Sequence, residues 1–432
     1  MEKLYQYLWK HRMLGSILRL RGGGEVKIIS PGILNENAGP DFSGARVRID
    51  GEEWAGNVEI HVKASDWYRH NHDKDRAYDS VMLHVVAIDD MEVKRTDGEP
   101  IPQVEVTFPQ EFYNIYSSLS ENIREARCAP YIPALTQLTI EDWLETLGVE
   151  RMQVKASRIL DVRKSVSGDW ERTCFITFAR ALGFGLNSDP FEMMARTLPL
   201  NYLARHSDNI FQLEALLFGQ AGMLDMSVNI FDEYYQGLCR EYYFLARKYS
   251  LRPMRRDLWK YARTRPGNFP HRRIAMLARY LEGGFSLMSQ ILRAGGDSEK
   301  SRELFNRELD GYWSGHAGFG DEPHRVSTAL SASSVDLLLI NLVAPMIYAH
   351  GSSLGDFEAA ERGFSLWEDL QAERNTFIRQ WTALGLKCGN AMRSQAMIQL
   401  RKEYCDRNRC LECRFGHALL RTTIRPTGRF QL

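Results

Sequence analysis

The alternation of apolar and polar residues on both sides of Asp50-Gly51 constrains this chain more than any other feature. In Ser43 to Ile49, Ala45, Val47 and Ile49 are separated by Arg46 and Arg48. Trp54 to Val62 returns with Val58, Ile60 and Val62 on one face. Asp-Gly between two such runs predicts a tight antiparallel hairpin. With the turn there, Asp41 falls across from Ile60, while Glu59, His61 and Lys63 share the other face by their period of two. Strict alternation therefore turns Asp41 away from Glu59 and His61. A bulge or longer loop would bring the three together at the open end of the hairpin. Gly39-Pro40 and Gly56 are the expected places for it.

That convergence matters because phosphodiester cleavage needs carboxylates gathered on a divalent metal, beside a group that positions water and offsets charge on phosphorus. The alternative is plain. An Asp after Pro, beside Gly, is commonly a turn residue. Glu and His alternating with Val and Ile commonly form a solvated sheet face.

The remaining pattern predicts an α+β protein: a small mixed α/β domain over residues 1–132, then a large, mostly helical domain over 133–432. Glu2 to Leu20 has helical spacing, and Val26 to Ser30 reads as a strand. Ala64 to Tyr78 suits a short helix. Val81 to Ile88 (VMLHVVAI) is apolar enough for a strand buried on both faces, and Pro100 to Phe108 offers one more. Beyond residue 135 the amphipathic stretches are helical, among them Ile140 to Leu160, Trp170 to Leu182 and Arg272 to Ala294. The boundary is expected near Cys128 to Pro133.

This order of elements, with Pro40-Asp41 followed by a hairpin and Glu59-Ile60-His61, resembles the PD-(D/E)XK nuclease superfamily over about a quarter of the chain. The resemblance implies that Asp41 and Glu59 bind metal, Mg²⁺ by analogy. His61 or Lys63 would then orient water or the scissile phosphate, and the Glu2 carboxylate on the first helix would support the metal-binding residues from behind. The departure is His61, where Lys is usual; Lys63 carries a positive charge on the same face. Along its length the chain also resembles a bacterial family known only as a domain of unknown function. The matching runs are GPDF, GNVEIHVKASDWYRHNHDKDRAYDSVMLHVV, EALLFGQAG, RPGNFPHRR and YCDRNRCLEC.

Three further groups carry chemistry. His61, His70 and His72 fall within a short span, and imidazole suits zinc. His84, inside an apolar run, reads as a hydrogen-bonded core residue or as a second wall of the same site. Cys405-X4-Cys410-X2-Cys413 suits zinc or an iron–sulfur cluster, with Cys388 or His417 as fourth ligand. Cys128, Cys174 and Cys239 read as core, with Cys128 available for recruitment. Finally, Arg255, Arg256, Arg265, Arg272 and Arg273, interleaved with Trp259, Tyr261 and Phe269, form the most basic segment. It suits a phosphate backbone with stacked bases.

Lys and Arg number 55, as do Asp and Glu, so net charge is zero and only a local patch could attract nucleic acid. No apolar run approaches the ~18 residues of a membrane span, and no signal-peptide core opens the chain, so a cytoplasmic protein is expected. The functional expectation is a metal-dependent nuclease. The alternative is a non-catalytic nucleic-acid-binding or scaffold protein with a nuclease-like fold.

Overall fold

The computed structural model describes residues 2–424 except 16, 36–38, 107, 109, 121–127, 229 and 263–267. The chain divides into two compact units, one of residues 1–140 with 403–432 and one of 141–402. The chain's end therefore belongs to the first unit, not to the helical one as expected, and takes Cys405, Cys410 and Cys413 with it.

The first unit opens with α1 (Glu2–Lys10), which buries Leu4, Tyr5, Tyr7, Leu8 and Trp9. Then come β1 (Leu18–Arg19), β2 (Glu25–Ser30), β3 (Ile33–Leu34), β4 (Phe42–Ile49), β5 (Glu52–Lys63), a single helical turn α2 (Asp66–Arg69), β6 (Val81–Ile88) and β7 (Gln103–Glu105). The strand order is β1-β2-β4-β5-β6-β7, with β3 on the outer end of β4. Leu20 pairs with Val104, so the sheet nearly closes on itself. β4 and β5 are antiparallel, and β5, β6 and β7 run parallel. The expected helix, three strands (here β2, β4 and β5), short helix and strand are present, but α1 stops at Lys10 instead of reaching Leu20, and β1 and β3 are additional; β6 is buried on both faces from Val81 to Val86.

The hairpin turns at Asp50 and Gly51, with φ of 48° and 94°, the left-handed pair that a two-residue turn of this kind demands. Near the turn alternation is strict, and Ala45 faces Gly56. Farther out Phe42 faces Val58, because β4 spends one extra residue at Ser43-Gly44. Gly44 takes up the bend with φ of +63°. The expected break exists, but at Ser43-Gly44 rather than at Gly39-Pro40. A second register shift, between β5 and β6, lies beside Gly56 at Asn57. There a side chain would meet Met82 and the Ser80 carbonyl at 3.2 Å.

In the second unit α3 does not figure, since Gln110–Ser120 belongs to the first. α4 (Gln137–Ser165) starts earlier than Ile140, because the Thr136 hydroxyl accepts the Thr139 N–H at 3.2 Å. α5 (Trp170–Leu182) matches its expected span, and α6 (Ser188–Thr197) follows. The expected single helix over Arg272 to Ala294 is two, Pro270–Leu281 and Leu287–Ala294, because Gly283 and Gly284 adopt positive φ between them. The segment Ala332–Leu354 is long and apolar enough to cross a membrane, but most of it is buried in this unit's core.

Gly44, in the bulge, and Gly32, in the turn between β2 and β3, should respond differently to substitution. Nothing lies within 4 Å of a Cβ at Gly44, so Gly44→Ala should cost about 1 kcal/mol of unfolding free energy from backbone strain alone. At Gly32 a Cβ would meet the Ser43 carbonyl at 2.4 Å and the Ala45 nitrogen at 2.8 Å, so Gly32→Ala should cost clearly more. Urea unfolding of both variants checks the order.

Candidate metal centre

The extra residue at Ser43-Gly44 sets Asp41, just before Phe42, against Glu59. The Asp41 N–H donates to Glu59 Oε2 at 2.9 Å, and the Ile60 N–H donates to Asp41 Oδ2 at 3.0 Å. α1 adds a third bond, Gln6 Nε2 to Asp41 Oδ1 at 2.8 Å. Burial, and then the Glu59 charge, push the Asp41 carboxyl up to about 7. Glu2, one helical turn before Gln6, is also raised by burial and lies within electrostatic reach of His70, Glu59 and Asp66.

Glu59 and His61 do not lie on a solvated face: they are 5% and 1% exposed. Buried groups of this kind need partners. His61 Nε2 lies 3.5 Å from Glu59 Oε1, and His72 Nε2 lies 3.4 Å from the same oxygen. His70 Nδ1 lies 3.2 Å from His61 Nε2. His61, His70 and His72 each place a ring nitrogen within 4.8 Å of the others, a grouping no other set of three such side chains makes among the described residues.

The loop after β5 brings the two outer imidazoles in. Asp66 Oδ2 accepts the Lys63 N–H at 3.1 Å and starts α2. Asn71 then adopts the left-handed conformation (φ 61°, ψ 29°), reversing the chain between His70 and His72. Tyr78 stacks on His72 with centroids 3.7 Å apart, and buried Trp67 stands edge-on to His61 and His72.

The other side of His61 is held by a row across the sheet. In register, Glu59 pairs with His84 and His84 with Gln103. Gln103 Nε2 donates to the Met91 carbonyl at 3.0 Å and to Asp89. Both partners are acceptors, so the amide oxygen faces His84. That oxygen lies 3.2 Å from His84 Nδ1, and His84 Nε2 lies 2.9 Å from His61 Nδ1. Burial, the largest cause in each case, pushes His84 down to about 4 and His61 down to about 2, with neighbouring imidazoles adding to the shift at His61. Both rings are therefore neutral. A neutral His84 that donates from Nδ1 must accept at Nε2. His61 then donates from Nδ1 and points a bare lone pair from Nε2 toward Glu59 and His70.

His61, His70 and His72 could together hold a transition-metal ion. Metal–nitrogen and metal–oxygen bonds near 2.1 Å set tetrahedral ligand atoms about 3.4 Å apart. The separations of 3.5, 3.4 and 3.2 Å around Glu59 Oε1 and His61 Nε2 bracket that value. His72 Nε2 is buried and makes no hydrogen bond, as expected of a nitrogen meant for a ligand. Three imidazoles favour zinc, or another first-row transition ion, over the Mg²⁺ expected from the motif.

The remaining sequence candidates fall elsewhere. Lys63 is exposed and acts electrostatically on the Asp90 carboxylate. Arg272 is 2% exposed and donates to the carbonyls of Trp313, His316 and Ser327. Arg273 is buried against Phe184 and bonds Asn268. Both charges serve the helical core instead of facing outward to a phosphate chain, which corrects the expectation for this pair. Trp259 is likewise buried, its indole donating to the Ala221 carbonyl at 2.8 Å. Arg255 is exposed and paired with Asp257, Arg256 is exposed, and Arg265 lies outside the described residues.

Cys128 is the thiol that accompanies Cys405, Cys410 and Cys413. Burial first, then those three thiols, push its pKa well above the usual value. The turn Ala129–Ala134 packs on the helix Arg414–Ile424 that follows Cys413. Among the described residues no three thiols lie within 4.8 Å of one another. Cys388 belongs to the other unit, where burial pushes it up to about 11. His417 Nδ1 is bonded to the Tyr7 hydroxyl at 2.8 Å.

Gln6 and Gln103 are the site residues that sequence reasoning left unassigned. Gln6 could have been found from its position one helical turn after Glu2; Gln103 carries no local signal.

If Gln103 sets the His61 tautomer, Gln103→Met should weaken zinc binding about 10- to 100-fold while leaving the circular dichroism spectrum unchanged. Undiminished affinity in competition with a chromophoric chelator would contradict that role.

Residues 2–376 match the model of a family described as "Protein of unknown function (DUF2851)", and the chain belongs to that family. No match was found among curated proteins or among solved structures.

Proposed function

We propose that this family member is a metal-dependent hydrolase of phosphodiester bonds in nucleic acid, built on Glu59, His61, His70 and His72 with Asp41 beside them. One observation carries the reading: ring nitrogens of His61, His70 and His72 lie within 4.8 Å of one another at the end of β5, and Glu59 Oε1 lies 3.5 and 3.4 Å from the first and last of them. The PD-(D/E)XK resemblance of Pro40-Asp41 and Glu59-Ile60-His61 supports the substrate class.

A bound ion would act as a Lewis acid and lower the pKa of attached water. Asp41 contributes a carboxyl held near 7, suited to exchanging a proton at neutral pH. Gln6 and the Ile60 N–H fix both of its oxygens. The Trp67 and Tyr78 rings keep the inner side apolar, while His70 faces solvent, where a substrate would approach. For nucleic-acid contact, Arg256 and Lys63 are the exposed cations left from the sequence candidates.

A second reading has its own observation. Three histidines and a glutamate fill a tetrahedron, and filled sites are commonly structural. In that case the protein binds or scaffolds without cleaving. The C-terminal thiols carry a further cofactor proposal, zinc or an iron–sulfur cluster, with Cys128 in place of Cys388.

Labelled DNA and RNA incubated with Zn²⁺, Mn²⁺ or Mg²⁺ test the catalytic reading. Asp41→Asn should retain metal and lose cleavage by about 100-fold or more, and His72→Ala should lose both. Cleavage that survives both changes belongs to a contaminant and sinks the proposal. Stoichiometric metal without cleavage by the parent protein favours the structural reading. Elemental analysis separates the two metal proposals: His72→Ala should spare thiol-bound iron or zinc, and Cys413→Ser should spare the histidine-bound ion.

A further inference from the structure

The helical unit contains a concave site of its own, independent of the metal centre. A cavity of about 550 Å³ opens along α4 and α5. Arg151, Lys155 and Arg158 project into it from α4, spaced to share one helical face. Arg180 comes from α5, and Lys402 completes the basic lining. Glu192 and Glu373 are the carboxylates in the wall. Ile176 and Phe184 contribute apolar surface.

The carboxylates are already committed. Glu192 pairs with Arg158 at 3.0 Å, Arg180 at 2.9 Å and Arg196 at 2.8 Å. Glu373 accepts from the Gln395 amide, whose oxygen accepts from Arg151 Nε at 3.1 Å. Lys155 is different. Among the described residues no carboxylate lies within 4.0 Å of it, and its ammonium donates to Asn341 Oδ1 at 2.5 Å. Asn341 Nδ2 donates to the Leu337 carbonyl at 2.8 Å, which fixes its oxygen toward Lys155. An ammonium has three donors, and Asn341 takes one of them. Five cations against two carboxylates leave the lining with excess positive charge in a place partly withdrawn from water, where an anion is stabilised most.

The backbone supplies a second observation. Asn341 sits in a π-helical turn, Leu339–Val343, and Lys402 in another that begins at Leu400. Such turns strain a helix and collect at functional sites. Here two of them deliver polar side chains to one cavity.

We propose that this cavity binds an organic phosphate of nucleotide size, with the phosphates on Lys155, Arg151 and Lys402 and the remainder against the apolar wall. The volume lies within the range of about 300–1,000 Å³ usual for small-molecule sites. Desolvation, then the Arg151 guanidinium, hold the Lys155 ammonium below its usual pKa, and a bound anion would oppose that shift.

Isothermal titration calorimetry of the full chain tests this with ATP, AMP, pyrophosphate, inorganic phosphate and adenosine. ATP should bind, and adenosine should not. Lys155→Met and Arg151→Gln should each weaken ATP about tenfold or more, with thermal unfolding confirming the fold. His72→Ala should leave ATP binding unchanged, which separates this site from the metal centre. Binding of none of these compounds overturns the proposal, as does ATP binding indifferent to both substitutions. Equal binding of adenosine overturns the phosphate assignment, and equal binding of inorganic phosphate overturns the organic one.

Discussion

One extra residue in β4 decides what the first unit can do. Were alternation strict from the Asp50-Gly51 turn outward, Asp41 would share a face with Ile60, pointing away from Glu59 and His61. Gly44, at positive φ, inserts the residue that sets Asp41 against Glu59. Two carboxylates then meet among buried groups. That is an expensive arrangement unless protons, hydrogen bonds or a cation offset it. The structure shows two of these offsets: the Asp41 carboxyl is raised to about 7, and its oxygens are held by Gln6 and the Ile60 N–H. The imidazoles of His61, His70 and His72 beside this pair make the third, a cation, the natural completion.

The same logic extends across the sheet. A buried histidine commonly serves as a hydrogen-bonded core residue, and His84 does so, between Gln103 and His61. Its consequence is directional. The Gln103 amide, oriented by two acceptors, propagates a fixed proton order to His61 and exposes a lone pair at Nε2. Strand register makes this possible: parallel pairing of β5, β6 and β7 places Glu59, His84 and Gln103 side by side.

How much of this was legible in the sequence depended on how local each cause is. The hairpin, its turn and the need for a break in alternation follow from neighbouring residues, and so does the two-faced burial of Val81 to Val86. The place of the break did not follow, because Gly44 competes with several glycines of equal freedom. That His70 and His72 converge on His61 depends on one left-handed residue, Asn71, which no periodicity announces. The basic segment misled because charge in a sequence does not say where it points; Arg272 satisfies three carbonyls from within the core. Cys128 and the C-terminal thiols are neighbours only because the chain's end returns to the first unit, a contact across most of the sequence.

The central claim is that Glu59, His61, His70 and His72 hold one transition-metal ion. The most direct measurement is a crystal structure of the zinc-loaded protein with anomalous data on both sides of the zinc absorption edge. The account predicts one anomalous peak about 2.1 Å from Glu59 Oε1, His61 Nε2, His70 Nδ1 and His72 Nε2. A zinc-saturated crystal with no peak among these four atoms would contradict it.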